Sequence, residues 1–285
     1  MDVKLRQTTP QDAAELGRIC FEAFKTISEY HRFTPDFPSA EVATELISTL
    51  ISHPGFFGIA AEVEGRVIGS NFLDERSMIA GVGPITIDPE WQNKSVGRRL
   101  MTAVLNRAHE RPFPGVRLIQ AAFHNRSLSL YTKLGFQVRE PLACMQGPAL
   151  RIEMSGLRVR PATETDLAAC NRLCFAVHGH DRAGELRDGI HQGTALVVER
   201  SGRITGYASL MGFFGHAVAA TNNDLKALIG GAEAFHGPGI LVPLRNADLF
   251  EWCLAHGLRV TQPMTLMTTG LYNEPAGAFL PSVLY

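Results

Sequence analysis

The pattern of apolar and polar positions predicts alternating helices and strands in the first half of the chain. Ala13, Leu16, Ile19, Cys20 and Ala23 fall at helical spacing on one face. Short apolar runs bounded by turn residues indicate strands. In chain order we expect a strand at 3–6, helices at 10–26 and 40–52, strands at 57–63 and 67–74, a strand ending at 84–87, a helix at 96–107, a strand at 117–122, a helix at 126–134 and a strand near 136–139. This order predicts an α+β fold in which helices and strands alternate (α/β) around a mixed central sheet.

The second half of the chain repeats parts of this order. Residues 5–21 align with residues 159–175 at a constant offset of 154 (160 − 6). Two shorter matches follow in the same order, 65–69 with 202–206 and 135–138 with 257–260. Collinear matches of this kind indicate a tandem duplication, with domains at 1–148 and 149–285. One large domain with coincidental similarity is the alternative.

Composition and charge narrow the class of protein. The chain has 285 residues, enough for two ordinary domains, and its formal net charge of −1 argues against nucleic acid or a membrane as the main partner. The five cysteines form no CxxC pair, and the first residues lack the apolar core of a signal peptide. We therefore expect a cytoplasmic protein with buried thiols.

A candidate phosphate-binding loop lies between a predicted strand and a predicted helix, at Gln92-Asn93-Lys94-Ser95-Val96-Gly97. Free backbone N–H groups and the positive end of the helix dipole favour an anion at such a position. Gly97 permits close approach of the backbone, and Lys94, Arg98 and Arg99 add positive charge. A solvated helix start with ordinary basic residues is the alternative interpretation.

A second motif follows at Asn125–Phe136. Asn125 is a favourable N-cap residue and Gly135 a favourable residue just after the helix, so the segment delimits its own helix. Tyr131 would lie on one face of that helix. Taken alone, Tyr131 could be a half-buried packing aromatic.

Together the two motifs resemble those of the GNAT superfamily of N-acetyltransferases. The loop of that family reads Q/R-x-x-G-x-G/A, and this sequence has Gln92-x-x-Ser95-x-Gly97, with serine in place of the first glycine. The second motif resembles the family's Asn-initiated helix ending in Tyr-x-x-x-Gly-Phe. The resemblance covers most of residues 3–145 and implies two tandem GNAT-like domains.

The resemblance implies acetyl-CoA as co-substrate, no metal, and N-acetylation of an amine-bearing small molecule. It assigns Tyr131 as the general acid and the Ile87 amide as the donor to the thioester carbonyl. The implied cofactor-binding residues are Ile85, Ile87, Gln92, Asn93, Lys94, Ser95, Val96, Gly97, Arg98, Asn125, Ser127 and Tyr131. A non-catalytic acetyl-CoA-binding module and a protein N-acetyltransferase are the alternatives, and either a monomer or a homodimer is compatible.

The general base and the acceptor site are less well defined. The candidate bases are Asp74, Glu75, Glu22 and His31, with a water relay as an equal alternative. The segment after the first helix should set specificity. Its candidate substrate residues are Tyr30, His31, Phe33 and Asp36, although its aromatics could instead pack onto the sheet.

The second half lacks the features on which catalysis would depend. No Gln-x-x-Gly-x-Gly equivalent follows its corresponding strand, and Asp248 and Trp252 stand where the first half has Ser127 and Tyr131. The cluster His178-Gly179-His180-Asp181 lacks a second spaced cluster for a metal. We therefore expect a degenerate second domain and one active site per chain.

Overall fold

The computed structural model describes residues 3–284. The first half contains seven strands and four helices within these residues. They are β1 (Lys4–Gln7), α1 (Ala13–Tyr30), α2 (Ala40–Ser52), β2 (Phe56–Val63), β3 (Arg66–Asp74), β4 (Ala80–Val82), β5 (Thr86–Ile87), α3 (Val96–Glu110), β6 (Gly115–Ala121), α4 (Asn125–Lys133) and β7 (Gln137–Gln146).

The second half continues the alternation of strands and helices. Its elements are β8 (Leu157–Pro161), α5 (Leu167–His178), α6 (Ala183–His191), β9 (Leu196–Arg200), β10 (Arg203–Ala208), β11 (Ala217–Ala219), α7 (Asn222–Gly231), β12 (Ile240–Pro243), α8 (Ala247–Ala255), β13 (Arg259–Gly270) and β14 (Ala278–Leu280).

In the described residues the strands form two sheets. The larger runs β1-β2-β3-β4-β6-β13-β7-β12, with β5 paired to β3, and the smaller runs β14-β11-β10-β9-β8. Most pairs are antiparallel, whereas β4 and β6 are parallel. The predicted α+β class with a mixed sheet is confirmed.

The two halves share the larger sheet. Strand β13 lies between β6 and β7, and β7 in turn lies between β13 and β12. The division between the sheets therefore does not fall at residue 148, because β12 and β13 complete the sheet of the first half. The domain boundary near 148 stays a prediction.

The start of each half repeats one arrangement of side chains. Arg6 donates to Asp12 at 2.8 Å, and Arg160 donates to Asp166 at 2.7 Å. Each aspartate also accepts a backbone N–H three residues upstream, from Thr9 at 2.7 Å and from Thr163 at 2.8 Å. This repetition agrees with the internal repeat in the sequence.

The larger sheet has buried side chains on both faces. One face packs on α3 and α4 through a cluster that includes Leu100, Val104 and Tyr131, and the other packs on α1 and α2 through Leu16, Ile47 and Phe72. Both faces are thus covered, so a ligand can reach the middle of the sheet only where two strands separate.

Candidate active site

The strands separate between β4 and β6. Their parallel pairing consists of Ala80 with Val116 and Gly81 with Arg117. Beyond Gly81 the chain no longer pairs with β6, and it continues along β3 as β5. A cavity of about 410 Å³ opens between residues 82–87 and residues 118–121.

The cavity joins the two faces of the sheet. On the α3 and α4 face its walls are Gln92, Asn93, Ser95, Val96, Gly97, Arg98, His124, Arg126, Ser127, Leu130 and Tyr131. On the α1 and α2 face its walls include Ala23, Phe24, Ile27, Ser28, Asp36, Phe37, Leu46, Phe213, Phe214, Gln262, Met264, Val283 and Leu284. A thioester arm can therefore enter from one face and an acceptor from the other.

The register of β5 directs the Ile87 amide away from β3. The Asp88 N–H donates to the Ile68 carbonyl at 2.9 Å, and Ile87 lies opposite Gly69. Hydrogen-bonded and non-hydrogen-bonded pairs alternate in an antiparallel ladder, so the Ile87 N–H and carbonyl point to the open side. Gln92 Nε2 donates to that carbonyl at 3.2 Å.

Gly69 permits the close approach of β5. A Cβ at this position would lie 2.5 Å from the Thr86 carbonyl oxygen and 3.1 Å from Ile87 Cα. Any larger residue would push β5 away from β3 and into the cavity. The position of the Ile87 amide therefore depends on this glycine.

The loop before α3 takes an unusual backbone course. Asn93 and Ser95 have φ angles of 62° and 63°, in the left-handed region. Ser95 precedes the first helical residue, Val96. The position where the GNAT pattern has its first glycine is thus the position whose conformation favours glycine. Ser95 keeps the same backbone course and leaves the N–H groups at the start of α3 available to an anion.

Arg126 stabilises this loop from outside it. Arg126 at the start of α4 donates to Asn93 Oδ1 at 3.0 Å and to Gln92 Oε1 at 3.1 Å. Sequence reasoning missed Arg126, because the contact spans more than thirty residues. Lys94 does not line the cavity; its Nζ lies 4.5 Å from the centre of the Trp91 ring.

Helix α4 begins one residue earlier than the sequence predicts. His124, not Asn125, is the N-cap residue, and its Nδ1 accepts the Ser127 N–H at 3.2 Å. Burial, and secondarily Arg126, lowers the pKa of His124, so the ring is neutral and carries its proton on Nε2. Asn125 does not line the cavity, whereas Ser127 does.

Tyr131 is buried at the cavity wall with 6% of its surface exposed. Its ring meets Phe136 edge to face at a centroid separation of 6.2 Å. Burial raises the pKa of Tyr131 to about 12, so the hydroxyl holds its proton at neutral pH.

Gln120 is a polar residue of the cavity that sequence reasoning did not single out. Its side chain is buried at 6% exposure, and neither amide atom has a hydrogen-bond partner within residues 3–284. Thr86 on the opposite wall has a buried hydroxyl that also has no hydrogen-bond partner among the described residues. Both groups can hydrogen-bond to a bound molecule. The only signal in the sequence was a glutamine inside an apolar strand.

The predicted acceptor segment divides in the structure. Asp36 lines the cavity and accepts a hydrogen bond from Gln262 Nε2 at 2.8 Å. Phe33 stacks on Phe123 at 4.3 Å, His31 packs on the same ring at 5.2 Å, and Tyr30 is 81% exposed. These three aromatics do not line the cavity.

The four candidate bases lie away from the cavity wall. Asp74 is paired with Arg76 at 2.6 Å, and Glu75 with Arg107 at 2.8 Å. Both carboxylates are thus engaged by guanidinium groups and lie outside the cavity wall. The structure therefore contradicts Asp74 and Glu75 as bases, and neither Glu22 nor His31 reaches the cavity.

In the second half, a salt bridge links α8 to α7. In the first half, the contacts between α4 and the loop before α3 stand at the corresponding place. Asp248 on α8 accepts from Lys226 Nζ at 2.7 Å, and its other oxygen accepts from Asn222 at 2.7 Å. Arg126 makes the corresponding link between α4 and its loop in the first half. The carboxylate of Asp248 is thus engaged by groups of its own half.

Within residues 3–284, the remaining chemistry-bearing side chains form neither a metal cluster nor a disulfide. No group of three or more His, Cys, Asp and Glu side chains is placed to hold a metal ion, the segment 178–181 included. All five cysteines are free and buried. None of the described helices combines the length and the apolar character that crossing a membrane requires.

Comparison with known proteins finds similarity to acetyltransferases. Residues 21–136 match the model of the acetyltransferase (GNAT) family. The match begins within α1 and ends just before β7, and it includes both motifs and all of α3 and α4.

One curated protein is similar in sequence to part of this chain. A mycothiol acetyltransferase from Nocardia farcinica (strain IFM 10152) is 30% identical over 133 residues, which are 45% of this chain and 42% of that protein. The match therefore spans less than half of the curated relative.

Two solved structures match almost the whole chain. A putative acetyltransferase from Pyrococcus horikoshii has a TM-score of 0.73 at 17% identity, covering 94% of this chain and 89% of that one. A GCN5-related N-acetyltransferase from Sphaerobacter thermophilus has a TM-score of 0.61 at 17% identity, covering 95% and 96%. These likenesses show that the fold extends over both halves.

Proposed function

We propose that this protein transfers an acetyl group from acetyl-CoA to a primary amine of a small molecule. The proposal is carried by one observation: Ile87, Tyr131 and most residues of the loop at Gln92–Arg98 all border one cavity that crosses the sheet. The name of the Nocardia farcinica relative, a mycothiol acetyltransferase, agrees with a small acceptor.

The residues of the cavity fit the parts of coenzyme A. The N–H groups at the start of α3, together with Arg98 and Arg126, offer an anion site for its pyrophosphate. The unpartnered amide of Gln120 and the hydroxyl of Thr86 can hydrogen-bond to the amides of its pantetheine arm or to the acceptor. When bound, acetyl-CoA supplies an activated acyl group.

Two groups of this chain act on the reacting atoms. The Ile87 N–H donates to the carbonyl oxygen as negative charge develops there, and one preorganised donor of this kind is worth about 3 kcal/mol of barrier. Tyr131 donates its proton to the departing sulfur. The C–N bond forms, the C–S bond breaks, and coenzyme A leaves as the thiol. The nitrogen loses a proton as the amide forms, and that proton restores the Tyr131 hydroxyl.

The cavity walls favour a small acceptor over a peptide. Residues of the second half, Phe213, Phe214, Gln262, Met264, Val283 and Leu284, lie on the α1 and α2 face and border the acceptor end. A protein substrate would need an open groove there. A non-catalytic binding module is disfavoured, because such a module has no use for a protonated tyrosine beside the thioester.

The first test is binding of acetyl-CoA by isothermal titration calorimetry, with Arg98 and Lys94 as a matched pair. Arg98 borders the cavity, whereas Lys94 packs on Trp91. We expect Arg98→Glu to weaken binding at least tenfold and Lys94→Glu to change it by less than threefold. A charged hydrogen bond is worth about 1.5–3 kcal/mol, and 1.4 kcal/mol corresponds to a factor of ten.

The second test is turnover. A panel of primary amines is screened with release of the coenzyme A thiol as readout. Failure of the wild-type protein to bind acetyl-CoA, or to acetylate any amine of the panel, would contradict the proposed function.

A further inference from the structure

The acceptor end of the cavity contains a single carboxylate among the described residues that line it, that of Asp36. A primary amine arrives at neutral pH as an ammonium ion, because its pKa is about 10. It must lose a proton before nitrogen can attack. The cavity has no second acidic side chain within residues 3–284 that could take this proton.

Asp36 is held in place by the other half of the chain. Gln262 Nε2 donates to Asp36 Oδ1 at 2.8 Å. Gln262 lies on β13 just after a register shift between Val260 and Gln262, where β13 pairs with β7. The bulge and the insertion of β13 between β6 and β7 bring this amide to a loop more than two hundred residues earlier in the chain. Among the described residues, Asp36 Oδ2 has no hydrogen-bond partner.

The surroundings of Asp36 contain no compensating cation in the described structure. The titratable groups that face it are the thiols of Cys20 on α1 and Cys144 on β7. Burial raises the pKa of both thiols, that of Cys144 to about 12, so both are neutral. The neighbouring walls are aromatic or aliphatic, with Phe24, Phe37 and Phe214 among them. Asp36 thus differs from Asp74, whose charge is neutralised by Arg76.

The remaining titratable side chain of the cavity that could accept a proton at neutral pH is His124. Its Nδ1 already accepts the Ser127 N–H, and its Nε2 carries the ring proton. It also lies on the α3 and α4 face, where the coenzyme A loop is. Asp36 lies on the opposite face, from which the acceptor would enter.

We propose that Asp36 is the general base of the transfer, and that Gln262 is a positioning residue which holds Asp36 Oδ1 and leaves Oδ2 for the acceptor. This inference rests on the proposed function. In the step, an N–H bond of the ammonium breaks, an O–H bond forms at Oδ2, and the freed electron pair on nitrogen forms the C–N bond. The proton leaves to solvent when the product departs.

The pH dependence of the rate follows from the state of this carboxyl. Burial raises the pKa of Asp36, and the hydrogen bond from Gln262 partly opposes the shift. A base works only when ionised, so kcat/KM should fall as pH decreases through this raised pKa. The acid limb should therefore lie above the value of about 3.9 for an ordinary aspartate. Removing the Gln262 amide should move the limb to still higher pH.

The experiment compares pH profiles of kcat/KM for the best amine of the panel. The proteins are the wild type, Asp36→Asn, Gln262→Leu and Glu45→Gln, the last an exposed carboxylate of α2 as control. Asp36→Asn should lower kcat/KM by about 10²- to 10⁴-fold, the usual contribution of a general base, and should remove the acid limb. Gln262→Leu should keep the limb and raise its midpoint, whereas Glu45→Gln should match the wild type.

Acetyl-CoA affinity is measured for every variant, because it separates the inference from the proposed function. Unchanged affinity with a lost acid limb supports the role of Asp36. An acid limb that persists in Asp36→Asn, at unchanged affinity, would assign the base to His124 or to water and overturn the inference alone. Wild-type protein that binds no acetyl-CoA would overturn both.

Discussion

Replacement of Tyr131 by phenylalanine isolates one hydroxyl group from the packing around it. The ring of Tyr131 belongs to the buried cluster on the α3 and α4 face and packs against Phe136. Phenylalanine keeps that ring and those contacts. The free energy of unfolding should therefore change by no more than about 1 kcal/mol, the usual net value of one hydrogen-bonding group.

The effect on turnover should be far larger. A thiol has a pKa of about 8.5, so its thiolate is a poorer leaving group than the thiol formed by proton transfer. Loss of a positioned acid typically costs about 10²- to 10⁴-fold in rate, which corresponds to about 3–5 kcal/mol of barrier. We expect kcat of Tyr131→Phe to fall in that range.

The assay should measure the chemical step itself. Single-turnover acetyl transfer with enzyme in excess separates chemistry from product release, and thermal unfolding checks that the fold is intact. Because the pKa of Tyr131 is about 12, its hydroxyl stays protonated as pH rises to that value, and wild-type activity should show no alkaline loss from this group below about pH 10. A Tyr131→Phe rate within threefold of the wild type would refute the assignment.

Two further substitutions test the cavity walls. Ser95→Gly should raise the free energy of unfolding by about 0.5–1 kcal/mol, because glycine takes the left-handed conformation at φ 63° without steric cost. Chemical denaturation measures this change. A decrease in the free energy of unfolding would mean that the serine side chain stabilises the loop. Gln120→Leu should stabilise the ligand-free protein by about 1 kcal/mol, since two buried amide atoms no longer lack partners, while weakening acetyl-CoA or acceptor binding. A thermal shift and a titration check both directions, and lower stability with unchanged binding would contradict the idea that Gln120 serves the ligand.

The parts of the site that could be predicted are those whose cause lies within a few residues. The start of α3, the left-handed turn before it and the self-delimiting helix α4 are encoded by contiguous sequence. The loop and Tyr131 therefore reach one cavity as the motifs indicate. The cap of α4 was misassigned by one residue because His124 and Asn125 can both accept the N–H of the first turn.

The parts that could not be predicted depend on contacts between distant segments. Gln262 meets Asp36 only because β13 inserts between β6 and β7, and nothing in the local pattern of either segment records that insertion. The candidate bases failed for a similar reason. Asp74 and Glu75 follow a strand as catalytic carboxylates often do, but Arg76 and Arg107 neutralise them, and only the fold brings Arg107 to Glu75.

The arrangement of the second half agrees with the single catalytic centre that we propose for this chain. Asp248 is bound to Lys226, so the place that holds Ser127 in the first half carries an internally paired carboxylate, unfavourable for a phosphate. The same half supplies β13 to the larger sheet and closes the acceptor end with Phe213, Phe214 and Leu284. Deleting the second half would thus remove a strand between β6 and β7 as well as one wall of the cavity. The two halves are interdependent in structure, and the division of labour we propose follows from that: the first binds the acyl donor, and the second positions the base and bounds the acceptor.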